Sequence, residues 1–496
     1  MVRFALLNCV VLASAGVLLR VAPAWAQVNE PADDAEIPAA AEPAPSDAKP
    51  STETPPASTT APAPATAPAP PKSEAPASAP VTAVPAPTLD QAPRPAEASK
   101  EKAADKPAPA VDIGGYLQAE YQSHQDSEDQ LRQGGGVLNQ NRFLVRRARL
   151  MLRRAWEYTS LEAELDGNTN SGPSIGFYRA EASLFYRGSN EKKQPPLAQL
   201  TVGMFKVPFG FELPESSSQR WFTERTQLSR ALWPSEIDVG ARLSGAISAF
   251  RYAFAVTNGE PLGSKSGFAL QDPNRNKDFT LSAGAVAQIL PMLRISGGVS
   301  AVTGRGFHAG TSVTKPSVTW RDVNDNGMVD NGELIGVAAQ AETPSKSFDR
   351  FAVGGDLQLY VKTPLGETML YAEMVTAKNL DRGFFVADPI APPGVDLREF
   401  GWYVGVLQPI TEYGMIGFRA EYYDPNADSS EQRASRILPL KNTVRTYSPL
   451  VGLSIPGRAR LLFQYDIIRD HLARDTLGVP TDLKNDAWTL RLQVHL

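Results

Sequence analysis

Apolar and polar residues alternate over the last segment of the chain, and the same pattern returns many times before it. From Trp488 to Leu496 every second residue is apolar, whereas the intervening Thr489, Arg491, Gln493 and His495 are polar. Successive side chains of a β-strand point to opposite faces, so this segment has one apolar and one polar face. A wall between hydrocarbon and water requires this pattern, because hydrocarbon offers no partner for an unpaired charge.

Sixteen segments of this kind can be delimited by their alternation and by the turn residues between them. Connections after odd-numbered segments are mostly long, and those after even-numbered segments, such as Pro291-Met292 and Pro456-Gly457, are mostly short. Short periplasmic turns and long external loops are typical of outer-membrane barrels. We therefore predict an all-β fold, a transmembrane antiparallel β-barrel of about sixteen strands over residues 111–496.

The N-terminal part of the chain has a different composition. Residues 1–26 combine an early arginine, an apolar stretch and the small-x-small sequence Ala24-Trp25-Ala26, which predicts a cleaved signal peptide. Residues 27–110 are rich in Ala and Pro, so we predict a disordered linker that cannot form a core. The linker is either a passive spacer or a tether to the cell wall or a partner. The N-terminus and the C-terminus of the barrel are both predicted to lie in the periplasm.

The connection between the fifth and sixth predicted strands is unusually long. Residues 207–236 follow the fifth predicted strand, and such a loop can fold into a large barrel and narrow its lumen. We therefore predict an inward-folded constriction loop, with Lys206 at its root as the best single constriction residue.

Several short motifs resemble the phosphate-selective porin family. They are Gly115–Gln118, Arg142–Leu150, Glu162–Asp166, Gly203–Gly210, Phe222–Arg225 and Asp238–Gly240. The resemblance implies a sixteen-stranded barrel, usually a homotrimer, with the third external loop in the pore and a basic lining for phosphate or related anions. Two features depart from the family pattern: the loop 207–236 is not net basic, and the chain ends in Leu496 rather than in an aromatic residue.

Basic residues supply the candidate ion path. Alternation places Arg147, Arg149 and Arg153 on the inner face and Arg146 and Arg154 on the outer face. The inward loop and its root add further candidates, which are Lys206, Arg220, Arg225 and Arg230. Carboxylates on the next strand, Glu162, Glu164 and Asp166, can pair with the inner arginines, so structural pairing and ion conduction both remain open.

A calcium-binding motif lies in a long external loop, predicted at residues 304–348. The segment Asp322–Glu333 satisfies D-x-[DN]-x-[DN]-G-x5-E at every defined position. Calcium requires six to eight oxygen ligands, and the predicted ligands are Asp322, Asn324, Asn326, Met328, Asp330 and Glu333. No paired helices flank the motif, so we predict a structural calcium staple. The alternative is an ordinary loop tip rich in Asp, Asn and Gly.

Taken together, the patterns predict a porin for passive diffusion of small anions, with no enzymatic activity. The four histidines show no metal-pair spacing and no histidine lies near a plausible nucleophile. The alternative is an outer-membrane anchor whose calcium-stiffened loops bind a partner. Few bulky side chains are predicted inside the lumen, which favours the channel. Expected partners are outer-membrane lipid, the barrel assembly machinery and small anions, and no nucleic acid.

Overall fold

A computed structural model describes residues 111–496, except for 132–135, 189–193, 261–270, 309, 382–395, 434, 441 and 475–479. The predicted signal peptide (1–26) and linker (27–110) lie outside the described residues.

Sixteen antiparallel strands form a closed barrel in which each strand pairs with its neighbours along the chain and β1 pairs with the last strand, β22. The prediction of a sixteen-stranded barrel is thereby confirmed. The wall strands are β1 (Asp112–His124), β2 (Arg142–Ala155), β3 (Thr159–Asn168), β4 (Ser174–Tyr186), β5 (Ala198–Lys206), β6 (Ile237–Ile247), β7 (Phe250–Thr257), β8 (Asp278–Leu290), β9 (Leu293–His308), β12 (Lys346–Thr363), β13 (Gly366–Lys378), β14 (Arg398–Pro409), β15 (Gly414–Asp424), β18 (Val444–Ile455), β19 (Ala459–Asp470) and β22 (Ala487–His495).

Six short strands lie outside the wall and form three two-stranded sheets. They are β10 (Ser317–Trp320) with β11 (Leu334–Val337), β16 (Ser430–Arg433) with β17 (Arg436–Pro439), and β20 (Ala473–Arg474) with β21 (Pro480–Thr481). One short helix, α1 (Gln227–Leu232), lies in the connection between β5 and β6. Among the described residues, no helix has the length and apolar character needed to cross a membrane.

The two ends of the barrel differ in the length of their connections. Strands β6 and β7, β8 and β9, and β12 and β13 are each joined by two residues, whereas β5 and β6 are joined by residues 207–236. We call the end with short connections the turn end and the opposite end the loop end.

Buried and exposed side chains alternate along the strands, as the alternation of polar and apolar residues in the sequence predicts. In β18, Val444, Thr446 and Ser448 are buried, whereas Tyr447 and Val451 are exposed on the outer face. Side chains on the two faces of a barrel strand must differ in this way, because one face is turned to lipid and the other to the lumen.

Two β-bulges turn extra side chains into the lumen. In the pairing of β1 with β2, Gln118 lies opposite Arg147 and Ala119 lies opposite Val145, so Arg146 has no partner in the ladder. A bulge shifts the side-chain alternation by one residue. The prediction that Arg146 lies on the outer face is therefore wrong. The second bulge, between β3 and β4, likewise leaves Tyr178 without a ladder partner.

Candidate functional site

Residues 207–236, here called the inward loop, pack inside the barrel. The loop leaves β5 at the loop end, and its backbone and side chains contact inward side chains of β9, β13 and β15. It also contacts β1, β2, β19 and β22. A segment that contacts opposite walls must lie across the lumen.

An apolar cluster fixes the loop to one side of the barrel. Phe209, Leu213, Phe222, Leu228 and Trp233 of the inward loop are buried against apolar inward side chains of neighbouring strands. The wall contributes Val302, Ala352, Tyr371, Val375, Ala377, Tyr403, Leu407, Tyr423, Val444, Leu450 and Leu462. The expectation of few bulky inward side chains is therefore wrong. The alternating pattern hid these residues, because small apolar and aromatic side chains also occupy inner positions.

Backbone hydrogen bonds to one acidic wall residue hold the beginning of the loop. The Glu373 carboxylate on β13 accepts from the backbone N–H groups of Phe211 (3.1 Å) and Glu212 (3.3 Å). Gly210 adopts φ +62°, and a Cβ on it would overlap the Glu373 carboxylate. Glycine is therefore required at this position both for its backbone conformation and for the close approach of the wall.

Glu224 of the inward loop is the shared partner of three arginines, and we call this group the Glu224 clamp. Arg146 Nε donates to Glu224 Oε1 at 2.7 Å, and Arg147 Nη2 donates to Oε2 at 3.0 Å. Arg491, on β22, donates to Glu224 Oε1 at 3.3 Å and also pairs with the buried Glu120. Burial opposes ionisation, but the three guanidinium charges hold the pKa of the Glu224 carboxyl well below its usual range.

Arg149 is also fully engaged with neighbouring groups. It donates to Asp166 (2.9 Å) and Glu164 (3.4 Å) on β3, and its guanidinium lies 3.4 Å from the Tyr178 ring centroid. It also donates to Ser217 Oγ of the inward loop at 3.1 Å. Pairing between the β2 arginines and the β3 carboxylates is thus present for Arg149, whereas Arg147 pairs with the loop instead.

The root of the inward loop is a compact ion-pair network. Lys206 Nζ lies 3.3 Å from Glu236 Oε1 and donates to the Glu215 carbonyl at 2.6 Å. Arg225 Nε lies 3.1 Å from Glu236 Oε2, and Arg220 Nε lies 3.3 Å from Glu215 Oε2. Burial disfavours the Glu236 carboxylate, yet these cations keep the pKa of Glu236 well below its usual range. These basic residues therefore fix the loop in place.

The two remaining sequence candidates lie elsewhere. Arg153 is exposed near the turn end of β2, in register with Glu162. Arg230, on α1, lines a cavity of about 340 Å³ at the loop end, together with Arg142 and Arg146. The same cavity is lined by Glu224, Glu421, Asp466 and Asp470, so it is close to neutral.

Sequence reasoning missed a row of inward basic residues on the wall opposite the apolar cluster. Arg179 (β4), Arg242 (β6), Arg251 (β7) and Arg294 (β9) are each partly exposed. Arg294 lies 3.5 Å from Glu367 and its guanidinium lies 3.8 Å from the Tyr360 ring centroid. None of the ion pairs between described residues involves Arg251. The alternation of β7, in which Phe250, Tyr252 and Phe254 face outward, is the signal that would have identified it.

The predicted calcium motif forms the tip of the hairpin made by β10 and β11. Asp322 Oδ2 accepts from the Gly327 N–H (2.7 Å), and Asp330 Oδ2 accepts from the side-chain amides of Asn324 (2.7 Å) and Asn326 (2.6 Å). These hydrogen bonds from the asparagine side chains lower the pKa of the Asp330 carboxyl. Across the described ranges, no three His, Cys, Asp or Glu side chains are grouped as a preformed metal site. Half of the predicted ligand set here consists of asparagine side chains and the Met328 carbonyl.

Glu333 closes the same loop. Its Oε2 accepts from the Asp330 N–H and from the Trp320 indole, both at 3.0 Å, and its Oε1 accepts from the Val323 N–H at 3.0 Å. The bonds from Asp330, Trp320 and Val323 lower the pKa of the Glu333 carboxyl. The last predicted ligand is therefore held as an oriented carboxylate.

Comparison with known families gives one match, to the phosphate-selective porin O and P family over residues 117–383, which is more than half of the chain. The chain belongs to this porin family. The family and the closed barrel are those of outer-membrane channels, and they place the protein in a bacterial outer membrane. The matched region of this porin includes the inward loop and all four residues of the basic row. Comparison with curated proteins finds no match.

Solved barrels resemble this porin at low sequence identity. The OprB channel of Pseudomonas putida aligns with 11% identity and a TM-score of 0.47, covering 78% of this chain and 94% of that one. The outer-membrane channel DcaP of Acinetobacter baumannii aligns with 12% identity and a TM-score of 0.45, covering 78% and 97%. An anion-selective porin from Comamonas acidovorans aligns with 10% identity and a TM-score of 0.44, covering 78% and 99%.

Proposed function

We propose that this porin conducts small anions such as phosphate passively, along the wall formed by β4 to β9. The observation that carries the proposal is the row Arg179, Arg242, Arg251 and Arg294, which is partly exposed inside the barrel. A charge that is already neutralised by a neighbour contributes little to the field in a pore. The buried arginines of the Glu224 clamp and the loop root therefore position the loop. Within the row, Arg179, Arg242 and Arg294 also pair with carboxylates. Arg251, which forms no ion pair among the described residues, is therefore the member of the row that attracts anions.

Arg251 is the residue expected to affect selectivity most directly. Two unit charges in water about 6 Å apart interact by about 0.7 kcal/mol. Arg251→Glu changes the local charge by two units, so it should shift the anion-to-cation permeability ratio toward cations by about threefold to tenfold. The measurement is the reversal potential of single channels in a chloride gradient and in a phosphate gradient.

The matched control for this substitution is Arg305→Glu, which makes the same charge change on an exposed residue of the outer face near the loop end. Equal shifts from Arg251→Glu and Arg305→Glu would contradict the assignment of the path. Absence of conductance in the wild type would instead favour the second candidate, an outer-membrane anchor. The apolar cluster inside the lumen is the observation that favours this anchor.

We further propose that the predicted calcium loop binds one calcium ion and stabilises the hairpin of β10 and β11. The support is the full motif, together with its side chains already hydrogen-bonded around Asp330 and Glu333. Calcium binding would offset the crowded carboxylates at this loop tip. The expected effect of removing the ion is developed in the Discussion.

A homotrimer is proposed as the assembly. Outward positions of β1 to β4 include the small residues Gly115, Ala148, Ala163 and Ala180, which would let a second barrel approach closely. Light scattering of the detergent-solubilised protein would give its mass and test this stoichiometry. Insertion by the barrel assembly machinery stays a prediction.

The N-terminal linker is proposed to be a periplasmic segment that the pore does not need. Its Ala/Pro-rich composition provides no apolar surface for a core. Deleting Glu30 to Lys106 should therefore leave a barrel with unchanged single-channel conductance and unchanged heat-modifiable migration on gels. Loss of the assembled barrel after this deletion would show that the segment has a structural role.

A further inference from the structure

The cavity that Arg230 lines at the loop end, here called the loop-end pocket, has a volume of about 340 Å³. Most of its wall comes from β19, β22, β1 and β2, which are consecutive neighbours in the barrel, and from β15 and β18. A cavity of this size can hold a small organic solute together with its hydrogen-bonding partners.

The inward loop forms the floor of the loop-end pocket. Thr223 lines the pocket, its N–H donates to Gln464 Oε1 at 2.8 Å, and its carbonyl accepts from Arg491. Farther toward the turn end, the Ser218 carbonyl accepts from Gln493 at 2.8 Å. The loop therefore occupies this side of the lumen beneath the pocket. A solute that enters the pocket from the loop end reaches a closed end, away from the proposed anion path along β4 to β9.

Charged side chains without an ion pair line the loop-end pocket. Arg142 lies at the start of β2, whereas Asp466 and Asp470 lie on β19, and none of the three forms an ion pair with a described residue. Other charged groups of the lining are already neutralised by one another, namely Arg146 with Glu224 and Arg419 with Glu421. The pocket thus offers both a positive and a negative group to a solute.

The order and register of the strands place these charges on opposite sides of the pocket. Asp466 on β19 is separated from Arg142 on β2 by β22 and β1. Three strand spacings correspond to about 14 Å between Cα atoms, which leaves room for a solute between the two charged groups. His124 lies in the same row as Asp466, across Ala487, and it interacts electrostatically with both Asp466 and Arg142. The two charges therefore flank one site.

The negative side of the pocket also has acceptor atoms that lack a donor. Asn485 donates to Asp470 Oδ2 at 3.3 Å, and its own Oδ1 is buried without a hydrogen-bond partner among the described residues. Asp466 Oδ1 accepts from Gln464 at 2.8 Å, whereas no described residue donates to Asp466 Oδ2. A positively charged group with several N–H donors would satisfy these oxygens.

We propose that the loop-end pocket binds a zwitterionic solute of the amino-acid class. The ammonium group of the solute donates to Asp466 and to Asn485 Oδ1, and its carboxylate accepts from Arg142. An ammonium group supplies three donors, and a guanidinium binds a carboxylate through two parallel hydrogen bonds. A solute that carries only one of these charges leaves the group on the opposite side of the pocket without a partner. The inference does not depend on the proposed anion conduction.

Isothermal titration of the full-length, detergent-solubilised porin with 4-aminobutyrate tests the proposal. We expect saturable binding of 4-aminobutyrate by the wild type. Butyrate has the carboxylate alone and propylammonium has the ammonium group alone, so each should bind at least tenfold more weakly than 4-aminobutyrate. Arg251→Glu should leave the binding of 4-aminobutyrate unchanged, so the pocket and the anion path can be tested separately.

Substitutions on the two sides of the pocket locate the binding site. Asp466→Asn and Arg142→Gln each remove one charge, and each should weaken the binding of 4-aminobutyrate at least tenfold. Asp356→Asn is the control for Asp466, because Asp356 is an inward carboxylate of β12 that also accepts from a neighbouring glutamine but does not line the pocket. Arg153→Gln, near the turn end of β2, is the control for Arg142. Both controls should bind as the wild type does.

Heat-modifiable migration on gels shows whether each variant assembles. Arg142 is exposed, so Arg142→Gln keeps the test available if Asp466→Asn does not assemble. The proposal is overturned if the wild type shows no saturable binding, if butyrate or propylammonium binds as tightly as 4-aminobutyrate, or if the assembled pocket variants bind as tightly as the wild type.

Discussion

Replacing Glu224 by glutamine is expected to lower the free energy of unfolding of the barrel by about 2–4 kcal/mol. Glu224 is the shared carboxylate of Arg146, Arg147 and Arg491, and it is mostly buried. Removing one partner of a buried ion pair leaves uncompensated charge, which costs about 3–5 kcal/mol, and partial exposure reduces this figure. Urea unfolding followed by tryptophan fluorescence measures the change.

The control for the Glu224 variant is an ion pair of similar chemistry on the surface. Asp428 pairs with Arg398 at 3.0 Å, and both side chains are more than half exposed. Asp428→Asn should therefore change the free energy of unfolding by less than about 1 kcal/mol. If Glu224→Gln is as stable as Asp428→Asn, the clamp does not hold the inward loop.

The low pKa of Glu224 sets the pH range over which the clamp acts. A carboxyl whose folded-state pKa is lowered stabilises the protein above its unfolded pKa, and this contribution is lost as the pH falls through the folded value. Since the folded pKa lies well below the usual 4.5, the difference in stability between wild type and Glu224→Gln should persist at pH 5 and shrink only in stronger acid.

Chelation of calcium should speed proteolysis of the external loop by about tenfold without unfolding the barrel. Binding protects a loop in proportion to one plus the ratio of free calcium to its dissociation constant. External sites of this kind have dissociation constants of about 0.1–1 mM, so 5 mM calcium should give roughly this protection. The measurement is the rate of cutting between His308 and Ser347, with and without a chelator.

Substitutions within the loop distinguish the loss of calcium binding from a nonspecific destabilisation of the loop. Asp322→Ala combined with Glu333→Ala should give the fast cutting rate even in calcium. Asp325→Asn removes a charge from the same loop but from no predicted ligand, and it should stay calcium-protected. Wild-type protein that takes up no calcium at millimolar concentration in isothermal titration would leave the loop as an ordinary Asp/Asn/Gly-rich tip.

The wall of the barrel could be predicted because the alternation of apolar and polar residues within each strand shows which of its side chains face lipid and which face the lumen. Alternation in segments such as Trp488–Leu496 is a local property, and it is preserved in the burial of β22. Turn residues such as Pro291 and Gly457 mark strand ends in the same local way. The strand number and the two kinds of connection follow from these local signals.

The interior could be predicted only in part, because its contacts join residues far apart in the chain. No local pattern indicates that Glu224 meets Arg491, and a bulge at Arg146 depends on how β1 pairs with β2. Long-range contacts also explain in part why the apolar cluster was missed, since Phe222 and Leu462 join one cluster only when the loop enters the barrel. Single-residue parity therefore identifies which side chains face inward where no bulge interrupts the strand, but it does not identify their partners.

The Glu224 clamp has a consequence for the order in which the barrel is assembled. Arg146 and Arg147 belong to the second strand of the wall, whereas Arg491 belongs to the last, and the pairing of β1 with β22 is the seam that closes the barrel. The clamp can be completed only after the C-terminal strand has been made and has reached the N-terminal one. The inward loop thus receives its final contacts at closure, so a barrel that stops short of closure also lacks a finished constriction.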